Sequence, residues 1–205
     1  MAEHAISQPR EIPVGPTVWH GVGLWGMWTI IATEAALFGY LLFSYFYLGA
    51  QGLPGWLLEP HPSLKYALPS TAIALLSAAL TWWGMRAVLA ARRPQALIAF
   101  IATFLLGIVF VWLQLLDWQA KPFHVGTSSY SSIYFVTTGL DLVHVLIGLG
   151  IFVFLILWTA FGYFGPRRSL VVAVSSLYWY FVTVIWLAIF VTFYLSPYLG
   201  FGQWL

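Results

Sequence analysis

Cysteine is absent from this chain of 205 residues, and charge is scarce, with 7% of residues charged. Without cysteine there can be no disulfide, thiolate nucleophile or cysteine-ligated metal. A soluble chain of this length has about a quarter of its residues charged. Here 61% of the residues are hydrophobic, so most of the surface must face lipid. The net charge of +2 also excludes an extended nucleic-acid-binding surface.

Five long apolar segments account for most of the chain. A spanning helix needs about 20 apolar residues, and the sequence predicts spans at residues 21–48, 67–90, 96–116, 132–161 and 170–195. The connections between them are too short for a water-soluble domain. We therefore expect an all-α, five-helix integral membrane bundle, a single membrane domain over residues 1–205 in which residues 1–20 form a cytoplasmic tail.

The basic residues near the span ends predict the orientation of the bundle. Lys65 and Lys121 fall on one side, and six arginines fall on the other: Arg10, Arg86, Arg92, Arg93, Arg167 and Arg168. Positive residues are enriched in cytoplasmic loops. This pattern places the N-terminus in the cytoplasm and the C-terminus in the periplasm.

Arginines of the second and fourth connections are also candidates for lipid head groups, because arginine makes bidentate contacts with phosphate. They are Arg92, Arg93, Arg167 and Arg168.

Three ionisable residues lie deep inside the predicted spans: Glu34, Asp141 and His144. An ionisable group at this depth costs about 3 kcal/mol on insertion scales, so it must be paired, protonated or functional. At 1.5 Å per residue, Glu34 lies about 20 Å from the outer end of span 1 and His144 about 18 Å from that of span 4. Asp141 and Thr137 lie before His144 on the same face of span 4, and Thr33 directly precedes Glu34 in span 1. We predict that these five residues form one buried cluster.

The chemistry of this cluster has three interpretations. It is a hydrogen-bond network that fixes helix packing, a proton-handling or gating site, or a metal site. One histidine with two carboxylates is a weak metal set, because catalytic zinc and iron sites usually use more histidines, so we predict no bound metal. His144 is also the one deep histidine, and we predict no haem and no catalytic residue on this chain.

Three of the five spans resemble one family. The segment from Gly23, GLWGMWTIIATEAALFGYLLFSYFYL, is similar to the signature helix of subunit III of haem-copper terminal oxidases, in which a threonine precedes a membrane glutamate and a SYFYL-like end follows. The segments SSYSSIYFVTTGLDLVHVLIG from Ser128 and YWYFVTVIWLAIFVTFYL from Tyr178 resemble its second signature and its closing helix. Five spans match the shorter form of that family.

Three residues depart from the family pattern. Asp141 stands where the family has the first of two span 4 histidines, and Tyr180 and Thr183 stand where the closing helix commonly has histidine and aspartate. These differences indicate a divergent branch.

The resemblance implies a subunit without a redox centre in a bacterial inner membrane. Haem and copper would lie on subunit I, which reduces dioxygen and pumps protons. This chain would pack against subunit I, with subunit II in the same complex, bind phospholipid and sustain proton uptake. The electron donor, cytochrome c or quinol, would bind another chain.

A nitric oxide reductase accessory protein and a small proton or solute transporter remain as alternatives, although a transporter often shows an internal repeat, and none stands out here.

Overall fold

The computed structural model describes residues 22–52, 56–58 and 61–201. These residues form five long apolar helices and no β-strand: α1 (Val22–Gly49), α2 (Leu64–Leu89), α3 (Arg93–Ala120), α4 (Ser129–Ala160) and α5 (Leu170–Ile189). A π-helical segment (Phe190–Leu195) and a 3₁₀ turn (Ser196–Leu199) extend α5. Each helix is long and apolar enough to cross a membrane, which confirms the predicted fold class. The predicted tail, residues 1–20, lies outside the described residues.

Helices α2, α3 and α4 begin earlier than the apolar pattern predicted, and in α2 and α4 a polar cap precedes the apolar run. In α2 the Ser63 side chain accepts from the backbone of Lys65 at 3.4 Å, and in α4 Ser128 and Ser131 form a reciprocal capping box. The end of α3 differs most. The sequence predicted an end at residue 116, before a charged residue, whereas the helix continues to Ala120.

Helices α2 to α5 form a bundle in which neighbours along the chain pack together and α5 packs back on α2. Helix α1 lies outside this bundle, against α4 and α5. Glycines permit the closest approaches: a Cβ atom added at Gly107 would lie 2.6 Å from Leu149, and one at Gly148 would lie 2.6 Å from Trp179. Small residues allow membrane helices to approach in this way.

Tryptophan side chains connect the helices by hydrogen bonds across the bundle. The indole of Trp179 donates to Ser77 at 3.0 Å, and that of Trp186 donates to Thr71 at 3.1 Å, so α5 is bonded twice to α2. Trp118 of α3 donates to the hydroxyl of Thr138 on α4 at 3.1 Å. These hydrogen bonds between helices therefore fix the register in which the helices pack.

The two ends of the bundle carry different basic residues. The α2–α3 and α4–α5 connections lie at one end, the arginine end, with Arg92, Arg93, Arg167 and Arg168. The α1–α2 and α3–α4 connections lie at the other, the lysine end, with Lys65 and Lys121. The assignment of the arginine end to the cytoplasm stays a prediction.

Candidate functional site

Glu34 of α1 and His144 of α4 meet between the two helices. The Nε2 atom of His144 lies 3.2 Å from Oε2 of Glu34. The other ring nitrogen, Nδ1, lies 2.7 Å from the backbone carbonyl of Leu140. Phe38 packs edge-on against the imidazole with a centroid distance of 5.3 Å. The imidazole orientation is therefore fixed on three sides.

The contacts at the two ring nitrogens of His144 indicate a shared proton in this pair. A carbonyl only accepts, so Nδ1 of His144 must carry a hydrogen to donate to Leu140. Nε2 then bonds Glu34 in one of two ways: it accepts from a carboxylic acid, or it donates from an imidazolium to a carboxylate. Both states contain the same number of protons and have no net charge. Hydrogen bonds at both ring nitrogens therefore require one proton between Nε2 and Oε2.

Exposure differs between the two partners. The His144 side chain is 11% exposed, whereas that of Glu34 is 30% exposed. Tyr178 of α5 donates its hydroxyl to the backbone carbonyl of His144 at 3.1 Å, so α5 packs against α4 at the level of the pair. The pair is therefore mostly buried at the histidine and partly exposed at the glutamate.

The remaining members of the predicted cluster are placed differently. Asp141 and Thr137 are buried on α4, yet Asp141 Oδ1 and Thr137 Oγ1 have no hydrogen-bond partner. Thr33 is exposed, and its hydroxyl donates to the carbonyl of Ile30 at 2.8 Å. The structure thus joins Glu34 to His144, leaves Asp141 and Thr137 beside them, and does not bring Thr33 into the cluster.

A second ionisable cluster lies at the lysine end, where sequence reasoning did not look for one. The hydroxyls of Tyr134 and Tyr194 donate to the same oxygen, Oδ2 of Asp117, at 2.5 and 2.6 Å. The ammonium of Lys121 lies 3.9 Å from that oxygen and 5.4 and 5.1 Å from the two ring centroids. All four residues are buried. We call them the Asp117 cluster.

The π-helical segment brings Tyr194 into the Asp117 cluster. Phe193 and Tyr194 are adjacent in sequence and both fully buried, with Phe193 packed 4.8 Å from the ring of Tyr45. A π-helix has a wider turn than an α-helix and is frequent at functional sites. The one sequence signal for the cluster is an aspartate four residues before a lysine, a spacing that places them on one helix face.

The arginine end combines an apolar groove with positive charge. An open cavity of about 470 Å³ is lined by side chains of α1, α4, α5 and the α4–α5 connection, among them Met27, Phe154, Trp158 and Val171. Arg168 lies over Tyr163, which lines the same groove, at 5.1 Å.

Arg93 is placed differently from the other candidates. It donates through Nε to the Thr159 carbonyl at 3.0 Å, near the C-terminus of α4. This arginine thus acts as a helix cap.

No group of three histidine, aspartate or glutamate side chains is arranged to hold a metal ion among the described residues. His144 has one carboxylate partner, and the Asp117 cluster has one carboxylate. Proton transfer, hydrogen bonding and packing are therefore the chemistry that these side chains supply.

Comparison with known proteins gives the family. A sequence model described as Cytochrome c oxidase subunit III matches residues 14–198, which include all five helices. The chain belongs to the cytochrome c oxidase subunit III family. A probable cytochrome c oxidase subunit 3 of Nocardia farcinica is 31% identical over 201 residues, covering 93% of this chain and 91% of that protein. The cytochrome c oxidase subunit 3 of Gallus gallus is 31% identical over 187 residues, covering 87% and 71%.

The three residues that the sequence predicts to depart from the family pattern lie on α4 and α5. Asp141 is on α4, and Tyr180 and Thr183 are on α5. Thr183 is buried and donates to the carbonyl of Trp179 at 2.9 Å, so its hydroxyl is satisfied within its own helix. Asp141 retains an unpaired oxygen. Of these three residues, Asp141 is thus the one with a buried polar atom that lacks a partner in the protein.

Proposed function

We propose that this chain is the non-catalytic subunit III of a haem-copper terminal oxidase in a bacterial inner membrane. It packs against subunit I, in a complex that also contains subunit II, and stabilises subunit I during dioxygen reduction and proton pumping. The observation that carries this proposal is the family match across all five helices. The arginine end faces the cytoplasm in this arrangement.

Support of proton uptake is assigned to the Glu34–His144 pair. The pair holds one proton, and its carboxyl side is 30% exposed at the flank of α1. Intramembrane carboxylates commonly mark proton or ion routes. We infer that the pair exchanges its proton with the complex through the partly exposed carboxyl group of Glu34.

Purification tests the assignment and gives the first prediction. Chain isolated alone is expected to be colourless, because His144 has a carboxylate and a carbonyl as partners and no second deep histidine faces it across the described helices. The same chain, tagged and purified from native membranes, is expected to bring a haem-bearing oxidase subunit I. Absorption spectra and the subunit list are the measurements. Stoichiometric haem on isolated chain, or co-purification with a nitric oxide reductase instead, would contradict the proposal.

Phospholipid binding is assigned to the groove at the arginine end. Its apolar walls fit an acyl chain, and Arg167 and Arg168 border it, in position for an anionic head group. Arg93 is engaged at the end of α4, so we assign it a smaller part than the sequence indicated.

The second prediction concerns retained lipid. Replacing Arg167 and Arg168 together with glutamine is expected to reduce the anionic phospholipid that survives purification, measured by mass spectrometry of the complex. Arg86→Gln is the matched control, because Arg86 lies in the last turn of α2 and stacks on Trp82 at 5.1 Å, away from the groove. Equal lipid in wild type and the double variant would overturn the assignment.

A further inference from the structure

Two buried polar atoms on α4 have no partner in the protein. Asp141 is 1% exposed and Thr137 is 0% exposed, and the Oδ1 atom of the first and the Oγ1 atom of the second make no hydrogen bond. Leaving such an atom unsatisfied costs about 1–3 kcal/mol. Buried polar atoms are nearly always bonded to protein or to ordered water.

Thr137 differs from the other threonines of the bundle. Six of them donate to the carbonyl four residues earlier, which is the usual way to satisfy a hydroxyl within a helix: Thr71, Thr81, Thr103, Thr138, Thr159 and Thr183. Its neighbour Thr138 also accepts from Trp118. The Thr137 hydroxyl instead remains available to a partner outside the helix backbone.

The two atoms are within reach of one small ligand. Residues four apart on a helix are neighbours, with Cβ atoms about 5–6 Å apart. A single water molecule spans that distance, donating to the carboxyl oxygen and exchanging a hydrogen bond with the hydroxyl. A calcium or magnesium ion would require about six oxygen ligands, and two side-chain atoms are too few.

We propose that Asp141 Oδ1 and Thr137 Oγ1 bind one internal water molecule. The site lies along α4 between the Glu34–His144 pair and the Asp117 cluster. His144 is about one turn from Asp141 in one direction, and Tyr134 is about one turn from Thr137 in the other. The bound water satisfies the buried carboxyl oxygen of Asp141 and the hydroxyl of Thr137. The proposal of a water site rests on the two buried atoms alone and does not depend on the proposed function.

Thr137→Val in the assembled complex tests the site, because valine keeps the shape and removes the hydroxyl. If water is bound, its loss leaves Asp141 unsatisfied, and the temperature at which this chain dissociates is expected to fall by about 2–4 °C. If the hydroxyl is simply unpaired, its removal is neutral or stabilising. Thr183→Val is the matched control, since that buried hydroxyl bonds its own helix.

A water-resolving cryo-electron microscopy map of the wild-type complex gives an independent measurement. A density peak is expected within hydrogen-bond distance of both Asp141 Oδ1 and Thr137 Oγ1, and it should be lost in Thr137→Val. Absence of the peak, with the Thr137 hydroxyl turned to the backbone, would overturn the proposal. So would a Thr137→Val complex at least as stable as wild type. The wild-type map remains decisive if the variant fails to assemble.

Discussion

Replacing Asp117 with leucine is expected to release this chain from the assembled complex. The substitution removes the carboxylate that accepts from two phenols and lies 3.9 Å from the Lys121 ammonium, in a buried setting. The substitution takes an opposite charge away from the buried Lys121 ammonium and the shared acceptor away from two phenols, and losing one partner of a buried pair costs about 3–5 kcal/mol. Measurement is by native mass spectrometry or size-exclusion chromatography, with the fraction of complex that retains this chain as the readout.

The double variant Asp117→Leu with Lys121→Met is the control for this prediction. Replacing both charged groups with apolar residues of similar size is often neutral in stability. The phenol oxygens of Tyr134 and Tyr194, already 2.9 Å apart, can then bond to each other. Assembly is expected to recover substantially in the double variant. Equal assembly of wild type and Asp117→Leu would show that the cluster contributes little to the fold.

Two substitutions of Glu34 are expected to distinguish a structural role from a proton-handling role. In Glu34→Gln the side-chain amide donates to Nε2 of His144, so the contact at 3.2 Å is kept while the shared proton is lost. Assembly should stay intact, and proton uptake should slow or the active lifetime of the enzyme should shorten. Glu34→Ala leaves His144 Nε2 without its partner, which costs about 1–3 kcal/mol, and should also loosen the chain from the complex.

Thr33→Val is the matched control for both Glu34 variants. Thr33 is the preceding residue, it is exposed, and its hydroxyl bonds only its own helix, so turnover and assembly should be unchanged. Pre-steady-state proton uptake, turnover number and inactivation half-life are the measurements. If Glu34→Gln and Glu34→Ala both matched wild type in all three, the pair would have neither a structural nor a proton-handling role.

The depth of Glu34 and His144 could be worked out from the sequence, because the rise of a helix is constant and the span ends are marked by composition. The sequence does not show which side chains meet at that depth. Asp141 is one turn from His144 on α4, yet of the two it is the histidine that bonds the Glu34 side chain of α1. That choice depends on how α4 is rotated against its neighbours, and rotation is set by packing at positions such as Gly148 and Trp179.

The Asp117 cluster was missed for a different physical reason. A charged residue at the end of an apolar run usually marks the membrane surface, so Asp117 and Lys121 were assigned to the end of span 3 and the connection after it. The helix instead continues to Ala120, and both residues are buried inside the bundle. Tyr194 reaches them from a π-helical segment, and no local pattern in the sequence indicates that geometry.

The π-helical segment also affects how relatives must be aligned. A turn with one additional residue offsets every following side chain by about 100° relative to an uninterrupted α-helix. Tyr194 and Ser196, which bonds Tyr45 at 3.0 Å, have their partners only with that offset. Relatives in which this segment is a plain α-helix would need a one-residue gap inside residues 190–195. An ungapped comparison would then pair Tyr194 with a residue on the wrong side of the helix.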